Sequence, residues 1–241
     1  CRIAVTYRTP VIMLSDGYLG NGAEPWKVPD LAEIPRIDPR FATEPNTTAA
    51  DGSPRFMPYR RDPQTLARPW ALPGTKGLEH RVGGLEKSAH TGAISYDPTN
   101  HEEMVATRAA KVKGIAKTIP PTAVDDPSGD ADVLVLGWGS AYGPITAAVR
   151  RVRARGLSIA QAHVRHLNPL PEDLGDVLRR YRQVVVPEMN TGQFAMLLRS
   201  KYLIDVKTIS RVRGLPIPPV DLCDELCRHC GGKGSDDMRE A

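Results

Sequence analysis

Cysteine is scarce and unevenly placed: four residues in 241, three of them crowded at Cys223, Cys227 and Cys230. Such a set makes no disulfide framework, so a reducing cytoplasm is the expected compartment. Long apolar runs are missing too. No stretch approaches the ~20 residues a membrane span needs, and no signal peptide is visible. Nor is there a large excess of one charge. A net charge of +4 does not by itself drive binding to nucleic acid or to a membrane surface, and neither partner is expected. The local basic runs Arg150–Arg155 and Arg179–Arg182 read as solvated helix faces. The zincin helix is absent as well, since His101-Glu-Glu-Met-Val105 lacks the second histidine. Glu102 and Glu103 then read as favourable charge in a first helical turn. No internal repeat is apparent.

What is present is an ordinary globular composition, 41% apolar and 25% charged, at a length that allows one or two domains. The chain opens on Cys1, without Met, in what reads as the end of a helix. A Thr9-Pro10 turn and a buried strand over Val11–Leu14 are expected to follow, then a Gly-rich exit through Gly17, Gly20 and Gly22. A lone strand buries nothing, so the chain is expected to be the C-terminal part of a longer one. Ten of the 22 prolines lie between Pro25 and Pro73. Proline lacks the donor and the φ freedom that helix and sheet interiors need, which predicts an extended, irregular connector. Trp26, Phe41, Phe56, Tyr59 and Trp70 are its expected apolar anchors. The loop continues to about residue 98. A helix is expected from Asn100, capped by that residue, with Val105, Ala109, Val112 and Ala116 at helical spacing.

From residue 130 the rhythm becomes strand, helix, strand, helix. Asp132–Gly137 reads as a buried strand. A helix capped by Ser140 follows, with Ile145, Ala148, Val149 and Val152 as its apolar stripe and Gly156 as its stop. Further strands are expected near 157–164, 183–186 and 206–209, with a short helix at 171–180 and another after Gly192. That alternation means a parallel sheet covered on both faces.

Several motifs carry possible chemistry. Gly137-Trp-Gly139-Ser-Ala-Tyr-Gly143 sits where a dinucleotide fingerprint would. The second strand shows Gln161-Ala-His163 instead of the acid that would hold a ribose, so a tight glycine turn is the better reading. Glu188-Met-Asn190-Thr-Gly-Gln193 places a carboxylate and two amides at a strand end, suited to satisfying backbone donors or to a subunit or cofactor interface. Cys223, Cys227 and Cys230 have metal-ligand character, on gaps that could wrap an iron–sulfur cluster or zinc.

Ser15-Asp-Gly-Tyr-Leu, Glu24-Pro-Trp, Gly77-Leu-Glu-His80, Tyr96-Asp-Pro, His166-Leu-Asn168-Pro-Leu-Pro171 and Glu188-Met-Asn-x-Gly-Gln193 resemble the alpha subunits of 2-oxoglutarate:ferredoxin oxidoreductases. These belong to the 2-oxoacid:acceptor oxidoreductases, and the loop Gly77–Lys87 is similar to its actinobacterial form. The resemblance runs from Cys1 to about Gly214 and lapses in the tail. It implies thiamine-diphosphate-dependent decarboxylation of a 2-oxoacid, with coenzyme A taking the acyl group. Electrons would pass to a 4Fe-4S cluster and then to ferredoxin. It also implies that thiamine diphosphate, Mg and the cluster are held mainly by a separate beta subunit.

On that basis residues 1–30 are expected to end a pyrimidine-binding domain, 31–129 to be the connector, 130–214 a transketolase-C-terminal-like three-layer domain, and 215–241 a divergent tail. No catalytic residue is expected in this chain. Glu79, His80 and Arg81 are the candidates for the substrate or cofactor vicinity, the glycines beside them permitting close backbone approach. His166, Asn168, Glu188, Asn190 and Gln193 are the candidates for interface or turn roles. A non-catalytic α/β partner-binding module, and an enzyme for pyruvate or a branched-chain 2-oxoacid, are the alternatives.

Overall fold

The computed structural model describes residues 1–231. The chain begins with helix α1 (Arg2–Tyr7). The strand expected over Val11–Leu14 is not formed. Those residues are extended coil, and Ile12 and Met13 are 85% and 86% exposed. A strand needs a hydrogen-bonded neighbour, and among the described residues none lies beside this segment. The glycine-rich exit is instead a short helix, α2 (Gly17–Asn21), whose first turn is capped by Asp16 through Tyr18 N at 2.8 Å.

The proline-rich zone is irregular, as its composition requires. It holds only two-residue strands among the described residues: β1 (Phe41–Ala42) beside β4 (Trp70–Ala71), and β2 (Thr47–Thr48) beside β3 (Pro54–Arg55). Of the expected anchors, Phe56 is buried while Trp26 is 82% exposed. Helix α3 (Pro98–Gly114) starts earlier than Asn100, because Asp97 caps it and Pro98 occupies its first turn. Asn100 is taken up elsewhere. Its side chain accepts from Ala89 N at 2.8 Å and donates to Lys87 O at 3.0 Å. The buried face of α3 is Met104 and Lys111, continued by Ile115, and Val105 and Ala109 are exposed. The expected stripe therefore holds only at its C-terminal end, where Ala116 is buried and Val112 half-buried. Alanine and valine at helical spacing mark a periodicity without saying which face meets a neighbour.

A five-stranded sheet follows: β5 (Val124–Asp125), β6 (Val133–Trp138), β7 (Ala160–Val164), β8 (Gln183–Glu188) and β9 (Val206–Ser210), in the order β5-β7-β6-β8-β9. β6 to β9 run parallel, and β5 is an antiparallel edge strand. The crossovers are α4 (Tyr142–Ala154), α5 (Leu174–Arg179) and α6 (Gln193–Tyr202), and α7 (Pro219–His229) follows β9. Side chains alternate across a strand. Leu134 and Leu136 of β6 pack with Leu174, Leu178 and Leu198 of α5 and α6. Val133 and Val135 pack with α4 and α7. Both faces are thus covered by helices.

The α4 stripe Ile145, Ala148, Val149 and Val152 is buried throughout, and Gly156 ends the turn at φ 79°. Ser140 is not the cap. It lies in a 3₁₀ turn (Gly139–Ala141), and its hydroxyl donates to Asp16 Oδ2 at 2.6 Å. The chain divides into two compact units. One is Cys1–Ile12 with Trp26–Thr118, and the other is Met13–Pro25 with the chain from Ile119 onward.

The three cysteines do not form a ligand loop. They fall on α7 and at its end, one helical face apart in spacing. Cys223 and Cys227 are fully buried against the sheet and α4. Burial pushes the Cys223 and Cys230 thiols up to about 11, with Cys227 next to each as the second cause. A protonated thiol is a poor metal ligand. No group of three His, Cys, Asp or Glu is disposed around a metal position among the described residues. The remainder of the expected tail, residues 232–241, lies outside the described residues.

Candidate functional site

The order β7-β6-β8 reverses direction at β6: the chain steps from β6 to β7 on one side, then to β8 on the other. In open α/β sheets the crevice at such a switch point, beyond the strand carboxyl ends, is where ligands are met. Here Trp138 ends β6 and Glu188 ends β8. Glu188 is 1% exposed. Its Oε1 accepts from Ala195 N at 2.9 Å. Its Oε2 accepts from Phe194 N at 3.0 Å and from Trp138 Nε1 at 3.4 Å. Two otherwise orphaned donors in the first turn of α6 are thereby satisfied, and a negative charge stands at the positive end of that helix. With both oxygens so occupied, Glu188 is a strut joining β6, β8 and α6 and not a free base.

The same turn uses the amides. Asn190 Oδ1 accepts from Gly192 N at 2.7 Å and from Gln193 N at 3.3 Å. Gly192 takes φ 91°, and a Cβ there would approach Thr208 Cγ2 to 3.2 Å. Gln193 itself is exposed. The structure therefore gathers Glu188, Asn190 and Gln193 into one β8–α6 turn. His166 and Asn168 lie in the separate β7–α5 loop, His166 half-buried and Asn168 exposed before a cis peptide to Pro169.

A cleft of about 830 Å³ runs beside the sheet, lined by His166 together with Tyr142, Thr146, Arg150 and His163. His163 explains part of the glycine motif. A Cβ on Gly137 would lie 2.9 Å from His163 Nδ1 and 2.7 Å from Ile145 Cδ1, while Gly139 needs φ 57°. Those glycines serve close packing and a turn. Gln161 is buried and donates to Thr146 Oγ1 at 2.8 Å, so no group here is placed for a ribose.

The Tyr142 ring packs edge-on to the His163 ring at 5.1 Å. Burial, with Arg165 second, holds His163 below the ordinary imidazole range, and burial does the same to His229. Unfolded imidazoles titrate near about pH 6.5. Below that pH the unfolded chain binds protons that the folded chain refuses. Stability is then complete above about pH 6.5 and falls as pH drops through it. Denaturant midpoints are expected to be lower at about pH 5.5 than at about pH 7.5, with a smaller gap in His163→Gln. An unchanged gap in that variant would remove His163 as a cause.

In the other unit, His80 Nδ1 is 2.7 Å from Leu78 O, and its ring lies edge-on to Phe56 at 5.2 Å. That anchors the loop. Glu79 and Arg81 are exposed. Backbone N–H groups of Glu79 and Gly77 keep the Glu79 carboxyl below its usual range. The sequence reading missed Trp138 as a partner of Glu188, and the Asp16–Ser140 tie. The Ser15-Asp-Gly-Tyr-Leu run, one of those that carry the family resemblance, was the available signal for Asp16. For Trp138 there was none, because its partner is fifty residues away along the chain.

Residues 131–222 match the family model of pyruvate:ferredoxin oxidoreductase core domain II. The chain is 54% identical over 227 residues to the 2-oxoglutarate oxidoreductase subunit KorA of Mycobacterium tuberculosis, covering 94% of this chain and 33% of that one. It is 30% identical over 202 residues to the alpha subunit of 2-oxoacid:ferredoxin oxidoreductase 1 of Aeropyrum pernix, covering 81% and 30%. Among solved structures it is similar to the 2-oxoglutarate:ferredoxin oxidoreductase of Magnetococcus marinus with 2-oxoglutarate, coenzyme A and succinyl-CoA bound. The TM-score is 0.67 and the identity 30%, over 82% of this chain and 34% of that one. The chain spans about a third of the length of these curated relatives.

Proposed function

We propose, from the chain's kinship with the alpha subunits of 2-oxoglutarate:ferredoxin oxidoreductases, that it is the part of such a subunit that builds and braces the holoenzyme without supplying a reacting group. The observation that carries this reading is Glu188. The carboxylate that ends β8 at the sheet's switch point is fully used in hydrogen bonds to α6 and Trp138. The unit from Ile119 then serves as a transketolase-C-terminal-like domain, and residues 1–30 belong with a pyrimidine-binding domain. The chemistry proper, decarboxylation of a 2-oxoacid on thiamine diphosphate with coenzyme A as acyl acceptor, belongs to the cofactor.

The residues present do not fit a cluster or its metal. The α7 cysteines are buried core, and the described residues contain no ligand group. A beta subunit is the proposed holder of Mg, thiamine diphosphate and the 4Fe-4S cluster, with ferredoxin as electron acceptor. The proposed compartment is the cytoplasm, and no helix among the described residues is long and apolar enough to cross a membrane. Exposed Glu79 and Arg81, on the loop that His80 anchors, are the proposed contacts toward the substrate or cofactor vicinity, with Arg81 suited to a carboxylate.

The test is enzymatic. Expressed within a whole alpha subunit and paired with a beta subunit, the chain is expected to support coenzyme A-dependent reduction of ferredoxin. The specificity constant is expected to be at least about tenfold higher for 2-oxoglutarate than for pyruvate. Arg81→Ala is expected to raise KM for 2-oxoglutarate more than it lowers kcat. A preference for pyruvate would reassign the substrate. Failure to assemble with any beta subunit would replace the enzyme reading by a non-catalytic partner-binding module.

A further inference from the structure

Two lysines are buried among the described residues, Lys87 and Lys111, and both belong to the unit formed by Cys1–Ile12 and Trp26–Thr118. An ammonium carries three donors and loses its hydration on burial, so it needs acceptors in exchange. Lys87 has them. Its Nζ donates to Gly83 O and to Leu85 O, each at 2.5 Å. Lys111 has one acceptor among the described residues, Arg8 O, and at 3.4 Å it lies beyond the usual range for an N–H donor.

The neighbours of Lys111 disfavour its charged form further. It shares the buried face of α3 with Met104, two turns earlier, and is followed one turn later by Ile115. Arg61 reaches the same face. Its Nη2 stands 3.6 Å from Met104 Sδ, and its Nη1 donates to Leu66 O at 3.2 Å. Arg68 lies 4.4 Å over the Tyr59 ring. Acids answer several arginines of this unit: Glu103 acts on Arg61, Asp38 on Arg8 and Asp62 on Arg40. The charges that bear on Lys111 are instead Arg61, Arg68 and Arg108. Burial first, and then those three, pull its ammonium down to about 8. A lysine desolvated among cations is the setting in which the amine becomes a nucleophile. At about pH 7.5 roughly a quarter of it is free amine, against about one part in a thousand for an ordinary lysine.

Arg61 and Arg68 also line a cleft of about 840 Å³, with five further arginines between Arg2 and Arg60. A small solute in that cleft meets the guanidiniums that neighbour Lys111. The site limits which electrophile suits it. A carbonyl compound would convert the amine to an iminium and keep the positive charge among the arginines. An acyl donor would remove the charge but leave no anion for them. Carbon dioxide is small and neutral, so it enters a buried site without the cost of desolvating an ion. It turns the amine into an anion whose two oxygens can accept from guanidinium forks.

We propose that Lys111 is a carbamylation site: its Nζ adds to dissolved carbon dioxide, and Arg61 and Arg68 hold the carbamate that forms. The ammonium first loses a proton to water. The Nζ lone pair then makes the N–C bond, one C–O π pair moves onto oxygen, and a second proton leaves nitrogen for water. Nothing is oxidised or reduced. A cation is thereby replaced by an anion where α1, α3 and the connector meet, which turns repulsion among four cations into attraction. Decarboxylation in the reading above would release the same reagent. The site takes carbon dioxide from any source, however, and does not rest on that reading.

The full chain is equilibrated with isotopically labelled bicarbonate and dissolved carbon dioxide at about pH 8, where the amine is half free. Carbamates are then trapped by O-methylation with an oxonium reagent and located by tandem mass spectrometry. Label is expected on Lys111 at least about tenfold above Lys113, an exposed lysine on the same helix. At fixed dissolved carbon dioxide it is expected to fall as pH drops from about 8.5 to about 7, because two protons are released for each carbamate formed from the ammonium. Arg68→Ala is expected to lower the label at Lys111 severalfold. At ionic strength matched with chloride, bicarbonate is expected to raise the melting temperature of the parent and not that of Lys111→Met. No label on Lys111, equal label on Lys113, or unchanged label in Arg68→Ala would each overturn the proposal. So would equal stabilisation of parent and Lys111→Met, which would mark bicarbonate as a free ion paired with the arginines. Trapping is read on the parent chain, so the test stands even if Lys111→Met does not fold.

Discussion

Glu188→Ala is expected to destabilise the unit that begins at Ile119 by about 3–5 kcal/mol. Three donors lose their acceptor at once: Phe194 N, Ala195 N and Trp138 Nε1. Each buried donor left unpaired costs about 1–3 kcal/mol, and partial entry of water keeps the total below the simple sum. The negative charge that favours the N-terminus of α6 goes with them. Glu188→Gln keeps one carbonyl oxygen and is expected to lose about half as much. Denaturant midpoints from circular dichroism, at constant slope, give the comparison. A loss below about 1 kcal/mol in the alanine variant would mean that the carboxylate is not the strut described, since that is the range of an ordinary surface change. If the alanine variant does not fold, the glutamine variant still orders the two readings.

Leu226→Ala is expected to cost about 2–5 kcal/mol, the range for truncating a fully buried leucine. Leu226 is 0% exposed and packs, with Leu222, Cys223 and Cys227, in the same cluster as Ala148, Val149 and Val152 of α4. The contact is reinforced at its edge, where Arg155 donates to Asp224 Oδ1 at 2.8 Å and to Cys227 Sγ at 3.3 Å. Val220→Ala, on the same helix but 54% exposed, is the control and is expected within about 0.5 kcal/mol of the parent. Thermal melting of the two variants decides the matter. Equal melting temperatures would show that α7 is not part of the folded core. A loss confined to Leu226→Ala would fix the cysteines beside it as core residues too, because they share its face.

The two results bear on how the chain is read. The cysteine spacing that suggests a metal loop is, on a helix, simply positions i, i+4 and i+7 of one face, with Cys223 and Cys227 buried and Cys230 half-buried at the helix end. Spacing alone does not distinguish these cases, because a ligand loop and a helix face share those intervals. What separated them was the surface waiting on the other side, α4 and the sheet. The same holds for Glu188, whose strand-end position could equally have served a ligand.

Local pattern was enough wherever the deciding interaction lay within a few residues. The alternation of β6, the α4 stripe ending at Gly156 and the succession of parallel strands with crossover helices could all be read in order along the chain. So could the irregularity of the proline-rich zone, since proline's limits act on its own backbone. Other features depended on partners far away in sequence. Val11–Leu14 carries a strand composition but has no neighbouring strand among the described residues. Ser140 turns to Asp16 instead of capping α4, and Asn100 turns to the 87–89 loop instead of capping α3. Arginines spread from position 2 to position 68 converge on one cleft. Secondary structure follows from short-range sterics and periodicity, which a sequence displays directly. Which buried polar group meets which donor, and which charges are brought together, depends on long-range packing that the tertiary structure alone decides.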